Sequence, residues 1–159
     1  MSITIRAAAR ADTATILRFV RELAAFEREP DAVVATEAML EAALFGERPA
    51  AEAVIAERDG VGVGFALFFA NFSTWTGRQG LYLEDLYVTP AARGAGVGKA
   101  LLIHLAGLAV DRGWGRFEWS VLDWNAPAIA FYRAMGAEAM DEWTVQRVSG
   151  AALARLAGR

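Results

Sequence analysis

The chain contains no cysteine and one histidine, His104. Disulfides, thiolate catalysis and cysteine metal sites are therefore excluded, and a lone histidine builds no histidine cluster, so no metal is expected. A surplus of either charge is also missing. Sixteen Lys and Arg stand against nineteen Asp and Glu, a formal net charge of -3, which lacks the basic excess of a nucleic-acid binder and is compatible with cationic partners. Long apolar runs are absent too: Gly64 to Phe72 is too short to span a bilayer, and Met1 to Arg10 has no apolar core after a basic start. A soluble cytoplasmic protein with no membrane partner is the expectation.

What is present is a 159-residue chain, 55% hydrophobic, enough for one domain with a core over residues 1–159 and too little for two comfortable ones. Beyond a mild richness in alanine there are no repeats, linkers or low-complexity segments. Ile3 and Ile5 alternate with Thr4 and Arg6 as in a short strand, with Asp12 placed to cap a helix whose face carries Ile16, Val20, Leu23 and Ala24. Thr36 to Phe45 reads as a second helix, capped by Thr36, stopped at Gly46 and packing Met39, Leu40 and Leu44. Ala53–Arg58, the turn Asp59-Gly60 and Val61–Asn71 read as a β-hairpin, followed by a strand over Leu81–Val88.

Val97–Asp111 carries Leu101, Leu105 and Leu108 at helical spacing, with Gly113 as its stop, and Phe117–Val121 returns to strand. Asn125 then caps a helix with Pro127 in its first turn, ending at Gly136; Glu142–Val148 reads as a last strand and a short helix follows Ser149. The order gives a mixed α/β fold with an antiparallel front half and one parallel, right-handed strand-helix-strand unit. Ligands favour the crevice at the carboxyl ends of such strands.

That crevice would hold the stretch ARGAGVGKALL, Ala92 to Leu102. Gly94, Gly96 and Gly98 let backbone amides approach a polyphosphate, the helix start adds a positive dipole end, and Arg93 and Lys99 add charge at its edge. A plain turn with tight packing reads equally well from the glycines alone. A phosphate loop ending Gly-Lys-Ser/Thr does not, since Ala100 follows Lys99. A dinucleotide fold would place its glycines after an early strand.

LYVTPAARGAGVGKALL resembles the acetyl-CoA-binding motif of the GCN5-related N-acetyltransferases (GNAT), matching at Arg93, Gly96 and Gly98, and WNAPAIAFYRAMGA, Trp124 to Ala137, resembles the same family's second signature. LAAFE at Leu23 to Glu27 and YLEDLYV at Tyr82 to Val88 extend the likeness to the diamine (spermidine/spermine) and thialysine acetyltransferases. The resemblance implies a GNAT fold, an α/β (α+β) architecture with a mixed central sheet of about six to seven strands and helices on both faces. It further implies an enzyme that moves an acetyl group from acetyl-CoA to a primary amine of a small cationic substrate by direct attack, and a homodimer.

For the cofactor, the resemblance implies that Leu86, Tyr87 and Val88 hold the pantetheine arm as an added strand. Arg93, Gly94, Ala95, Gly96, Val97, Gly98 and Lys99 would hold the pyrophosphate, with Asn125, Ala126, Pro127, Ala128 and Tyr132 along the cofactor. Tyr132 is the expected proton donor to the departing thiolate, and Glu84, directly or through water, the expected acceptor of the amine's proton. Glu84 and Asp85 should point to opposite faces unless a bulge intervenes. Phe26, Glu27, Glu84, Asp85, Glu118, Trp119, Ser120, Glu142, Trp143 and Trp75 are the expected substrate contacts, carboxylates and aromatic faces suiting a cationic chain. Glu27 lies at a helix C-terminus, electrostatically unfavourable for an acid, which suggests another duty.

Ser73-Thr74 stands where the diamine enzymes carry an acid and a proline, and Phe26 replaces a tyrosine. One anionic contact is thereby lost, which weighs against long polyamines and leaves shorter amines or amino acids. Without the motif, Tyr132 would read as a core aromatic and Asn125 as a plain helix cap, while His104 reads as a structural histidine with no role. Acetylation of a protein lysine or N-terminus, and a non-catalytic acyl-CoA-binding sensor, are the alternative functions.

Overall fold

The computed structural model describes residues 2–159; Met1, the first residue of the Met1–Arg10 stretch, lies outside them. Compact packing divides the chain into two units, residues 1–122 and 123–159. Among the described residues of the first unit, strands β1 (Ile3–Ala7), β2 (Glu52–Arg58), β3 (Val61–Ser73), β4 (Arg78–Val88) and β5 (Phe117–Trp119) form a five-stranded sheet in sequence order. The first four are mutually antiparallel and β4 with β5 is parallel, so the mixed α/β architecture holds, with five strands.

Helices α1 (Thr13–Phe26) and α2 (Glu37–Phe45) cover one face, where Ile16, Phe19 and Leu44 pack with Ala53, Ile55, Phe65 and Tyr87. Phe65 thus faces α1, and its neighbour Gly64 faces the other way: a Cβ built there would lie 3.4 Å from Val97, the first residue of α3 (Val97–Asp111). Side-chain alternation along β3 therefore sets α3 on the opposite face, with Leu101 and Leu105 fully buried. Asp59 and Gly60 turn the β2–β3 hairpin with positive φ at both positions, 53° and 76°, the geometry that matches strand twist.

Several expectations shift in detail. Asp12 precedes α1 without capping it; its carboxylate accepts from Arg6 at 2.7 and 2.9 Å and from the Ala9 N–H at 2.7 Å, because a strong cation competes successfully for the same oxygens. Thr36 does cap α2, accepting from Met39 N–H at 3.2 Å, but Met39 itself is 60% exposed rather than packed. The strand expected over Phe117–Val121 ends at Trp119.

In the second unit, α4 (Ala126–Ala134) begins at Asn125, whose Oδ1 accepts from Ala128 N–H at 3.4 Å, and its chain turns away at Gly136 with φ 97°. A last helix, α5, spans Gly150–Leu156. Residues 142–148, expected as a strand, belong to none of the five strands and are all exposed. Alternating polarity suits a pleat, but a strand exists only through bonds to a neighbour, and this segment has none of the sheet's ladders.

Candidate active site

β4 bonds β3 along its whole length but β5 only from Leu81 to Leu83. At that point the β3–β4 register shifts: Phe68 stands opposite Leu83 and Leu67 opposite Asp85, leaving Glu84 as the extra residue of a bulge. A bulge bends the strand and puts neighbouring side chains on one side, so Glu84 and Asp85 do not alternate simply. Beyond it, Thr89 N–H donates to Val63 O at 2.9 Å and Tyr87 O lies against Gly64. By alternation the N–H and C=O groups of Leu86 and Val88 turn to the side that β5 has left; Val88 O there accepts from Arg93 Nε at 3.0 Å, and the Leu86 groups with the Val88 N–H form an edge on which an extended amide-bearing chain fits.

The bulge gathers acids. Glu27, just past the end of α1, lies within electrostatic reach of Glu84, and both act on Asp85. Burial, then repulsion from Glu84 and Glu27, pushes the Asp85 carboxyl up to about 6. Burial, and secondarily Glu84, likewise raises Glu27. Three carboxylates held together against their own repulsion make a place where a cation is favoured.

The glycine turn follows directly. Gly94 and Gly96 have φ of 83° and 82°, a conformation that strains other L-residues, and a Cβ at either would meet nothing within 4 Å. Gly96 is the N-cap of α3 and offers no side-chain cap. The first intrahelical bond there is Ala100 N–H to Gly96 O, 3.0 Å, so the N–H groups of Val97, Gly98 and Lys99 lie before it and need an outside acceptor. This suits a phosphate anion. Open space over Gly94 and Gly96, helix-start amides left without an intrahelical acceptor and a strand edge beyond β5 together fit acetyl-CoA.

A family model, Acetyltransferase (GNAT) family, matches residues 17–137. The chain belongs to this GNAT acetyltransferase family. Members use acetyl-CoA as cosubstrate. This acetyltransferase is similar to a thialysine N-epsilon-acetyltransferase of Sus scrofa, 39% identical over 99% of each chain, and to an L-ornithine N5-acetyltransferase of Arabidopsis thaliana, 33% identical over 94% of this chain and 85% of that one. Among solved structures, an integron cassette protein from the mobile metagenome of V. cholerae superposes with TM-score 0.83 at 28% identity, covering 100% of this chain and 99% of that one.

Of the residues singled out in sequence, Phe26, Glu27, Glu84, Asp85, Leu86, Tyr87, Val88 and Arg93 converge at the end of β4, and Gly94, Ala95, Gly96, Val97, Gly98 and Lys99 form the adjoining turn and helix start. On β5, Glu118 accepts from Asn71 Nδ2 at 3.2 Å. Just past it, Ser120 Oγ meets Tyr82 OH at 3.1 Å, and Trp119, opposite Leu83, packs on Phe117 with centroids 4.8 Å apart. Trp75 is elsewhere: it sits 81% exposed in the β3–β4 turn, about 20 Å along the strand from the bulge at roughly 3.3 Å per residue. Asn125, Ala126, Pro127, Ala128 and Tyr132 lie on or beside α4, and Glu142 and Trp143 in the irregular segment of the second unit.

Two features escape sequence reasoning. Glu22 lies against the Tyr87 hydroxyl, and one of its carboxylate oxygens is buried without a hydrogen-bond partner; its spacing from Phe26, one helical turn, is the signal that placed both on one face. Asp85 carries a carboxyl raised by burial and by repulsion from Glu84 and Glu27, and only the bulge register sets it directly after the extra residue Glu84.

Proposed function

We propose that this acetyltransferase acetylates a primary amine of a small cationic acceptor, a short diamine or a lysine- or ornithine-like amino acid. The single observation that carries the reading is the acid cluster of Glu27, Glu84 and Asp85 beside the splayed end of β4. The thialysine and ornithine acetyltransferases named above, similar over most of the chain, support the same class.

An alkyl amine with a reference pKa of about 10.4 reaches the site as an ammonium and must lose a proton before attack. Glu27 and Glu84 hold the ammonium, and the proton passes to the Glu84–Asp85 pair. Asp85, raised to about 6, is the better matched acceptor near neutrality. Leu86 and the N–H of Val88 present backbone groups to the pantetheine amides, Val88 O being held by Arg93 Nε, and the amides of Gly94–Lys99 receive the pyrophosphate. Tyr132 lies one turn beyond Ala128 on α4, and we assign its hydroxyl to protonating the departing sulfur. Tyr132→Phe should lower kcat about 100-fold while moving the acetyl-CoA KM little; unchanged turnover would remove it as the acid.

The family match runs across the boundary between the two units, which supports reading the chain as one acetyltransferase domain. Dependence on acetyl-CoA, a metabolite of the cell interior, supports a cytoplasmic setting. Apolar side chains exposed near the C-terminus, Val145 and Leu156 among them, support a homodimer. The reading is tested by CoA release from acetyl-CoA with putrescine, spermidine, thialysine, lysine, ornithine and a lysine peptide. Turnover confined to one small-amine class is expected; turnover on the peptide alone would replace it with protein acetylation, and silence with retained acetyl-CoA binding would point to a sensor.

A further inference from the structure

Arg93 opens the glycine turn, and its charge suggests a contact with pyrophosphate, yet the structure occupies its side chain otherwise. Its Nε donates to Val88 O at 3.0 Å. Its guanidinium lies over the Phe26 ring, 5.3 Å from the centroid, and over the Tyr87 ring at 5.6 Å. Tyr87 in turn packs on Phe19 of α1 at 5.8 Å between centroids, and its hydroxyl lies against Glu22 as well as Arg93. Glu22 and Phe26 are one helical turn apart, so Arg93 reaches from the end of β4 to the last turn of α1.

We propose that Arg93 is a positioning residue whose planar side chain fastens the last turn of α1 to the end of β4 and so fixes Glu27 against Glu84 and Asp85. Only an arginine does this. Its flat guanidinium stacks on two rings while Nε holds a defined direction to a carbonyl, and a lysine ammonium has neither the plane nor the fork. Right after the last turn of α1, Arg28 takes a φ of 65° and donates its N–H to Ala25 O while Glu29 N–H donates to Ala24 O, a cap that closes the helix's own backbone; Arg93 adds a side-chain tie from that turn to the end of β4. The anion-binding duty then rests on the helix-start amides of α3, which no side chain caps. Arg93 therefore tunes the amine side of the site from the cofactor side.

The test separates fastening from charge. Arg93→Lys, Arg93→Ala and Phe26→Leu are compared by CoA binding in calorimetry and by amine KM with acetyl-CoA and with S-acetylpantetheine, which lacks the pyrophosphate. Fastening predicts that Arg93→Lys matches Arg93→Ala, each raising amine KM about tenfold with a smaller change in kcat. The loss should persist with S-acetylpantetheine, and Phe26→Leu should add little once Arg93 is replaced. A pyrophosphate contact predicts the reverse: Arg93→Lys close to wild type, CoA binding weakened about tenfold in Arg93→Ala alone, and no penalty with S-acetylpantetheine; that outcome overturns the proposal. The kinetic arm rests on the small-amine reading, which fails separately if the wild-type protein acetylates no small amine. Calorimetry with CoA still decides Arg93 in that event, since equal CoA binding by the Lys and Ala variants supports fastening and retention by Lys alone refutes it.

Discussion

From Leu81 to Leu83 the strand β4 is bonded on both sides and its alternate side chains, Leu81 and Leu83, are 0% and 3% exposed. From Glu84 to Val88 the same strand bulges, keeps one neighbour and carries two acids. The first half is a core element whose sequence is dictated by packing. The second gives up ladder bonds and tolerates like-charge repulsion, and a segment that forgoes stability in this way is a place to look for binding. Gly80 illustrates how strict the first half is: a Cβ there would lie 2.6 Å from Asn71 Oδ1, the side chain that reaches across to Glu118.

If the two halves differ as described, substitutions in them should separate activity from stability. The largest effect is expected from the Glu84→Gln, Asp85→Asn double variant, with kcat/KM for the small amine down about 1000-fold, or about 4 kcal/mol, and a melting temperature no lower than wild type because the repulsion is gone. Normal turnover by that variant would make both acids structural. Leu81→Ala should do the opposite. Chemical denaturation should show a loss of about 2–5 kcal/mol, while the folded fraction turns over normally.

Solution pH should move the two properties in opposite directions. A carboxyl raised to about 6 on folding binds more protons in the folded than in the unfolded state between its ordinary value and 6, so stability falls as pH rises through that window. Turnover needs the ionised acid and should fall about tenfold per pH unit below 6. Glu27, also raised, adds in the same sense. Denaturation and rate profiles from pH 4.5 to 7.5 check both, and Asp85→Asn should flatten the stability profile; a stability profile unchanged by that substitution would remove Asp85 as its source.

Smaller effects should distinguish Gly96, the N-cap of α3, from Gly107 inside it. Gly96→Ala meets no neighbour but forces a left-handed alanine, a cost of about 1–2 kcal/mol, and should raise the acetyl-CoA KM several-fold. Gly107→Ala, inside the helix with open space around it, should stabilise by about 0.5–1 kcal/mol with kinetics unchanged. Equal behaviour of the two would mean that the turn's conformation does not matter to the cosubstrate.

Much of this was legible in the chain itself. Helix α3 falls on the predicted residues because Leu101, Leu105 and Gly113 mark its face and its end, and Thr36 and Asn125 cap α2 and α4 as their side chains require. The acids of β4 were conspicuous because an apolar strand rarely carries two in succession. Their orientation was not, since a bulge is a property of the pairing with β3 and leaves no mark of its own in YLEDLYV. The segment 142–148 failed as a strand for the related reason that polarity alternation names a face but not a partner.

By itself, then, the sequence determined the family, the helices and the glycine turn, because caps, periodicity and φ preferences act within a few residues of one another. The tertiary structure alone decided that β5 leaves β4 at Leu83, that Glu27 comes within electrostatic reach of Glu84 and Asp85, and that Arg93 lies over Phe26 and Tyr87. Those are meetings of residues far apart in the chain, and their energies depend on burial and register that no local pattern encodes.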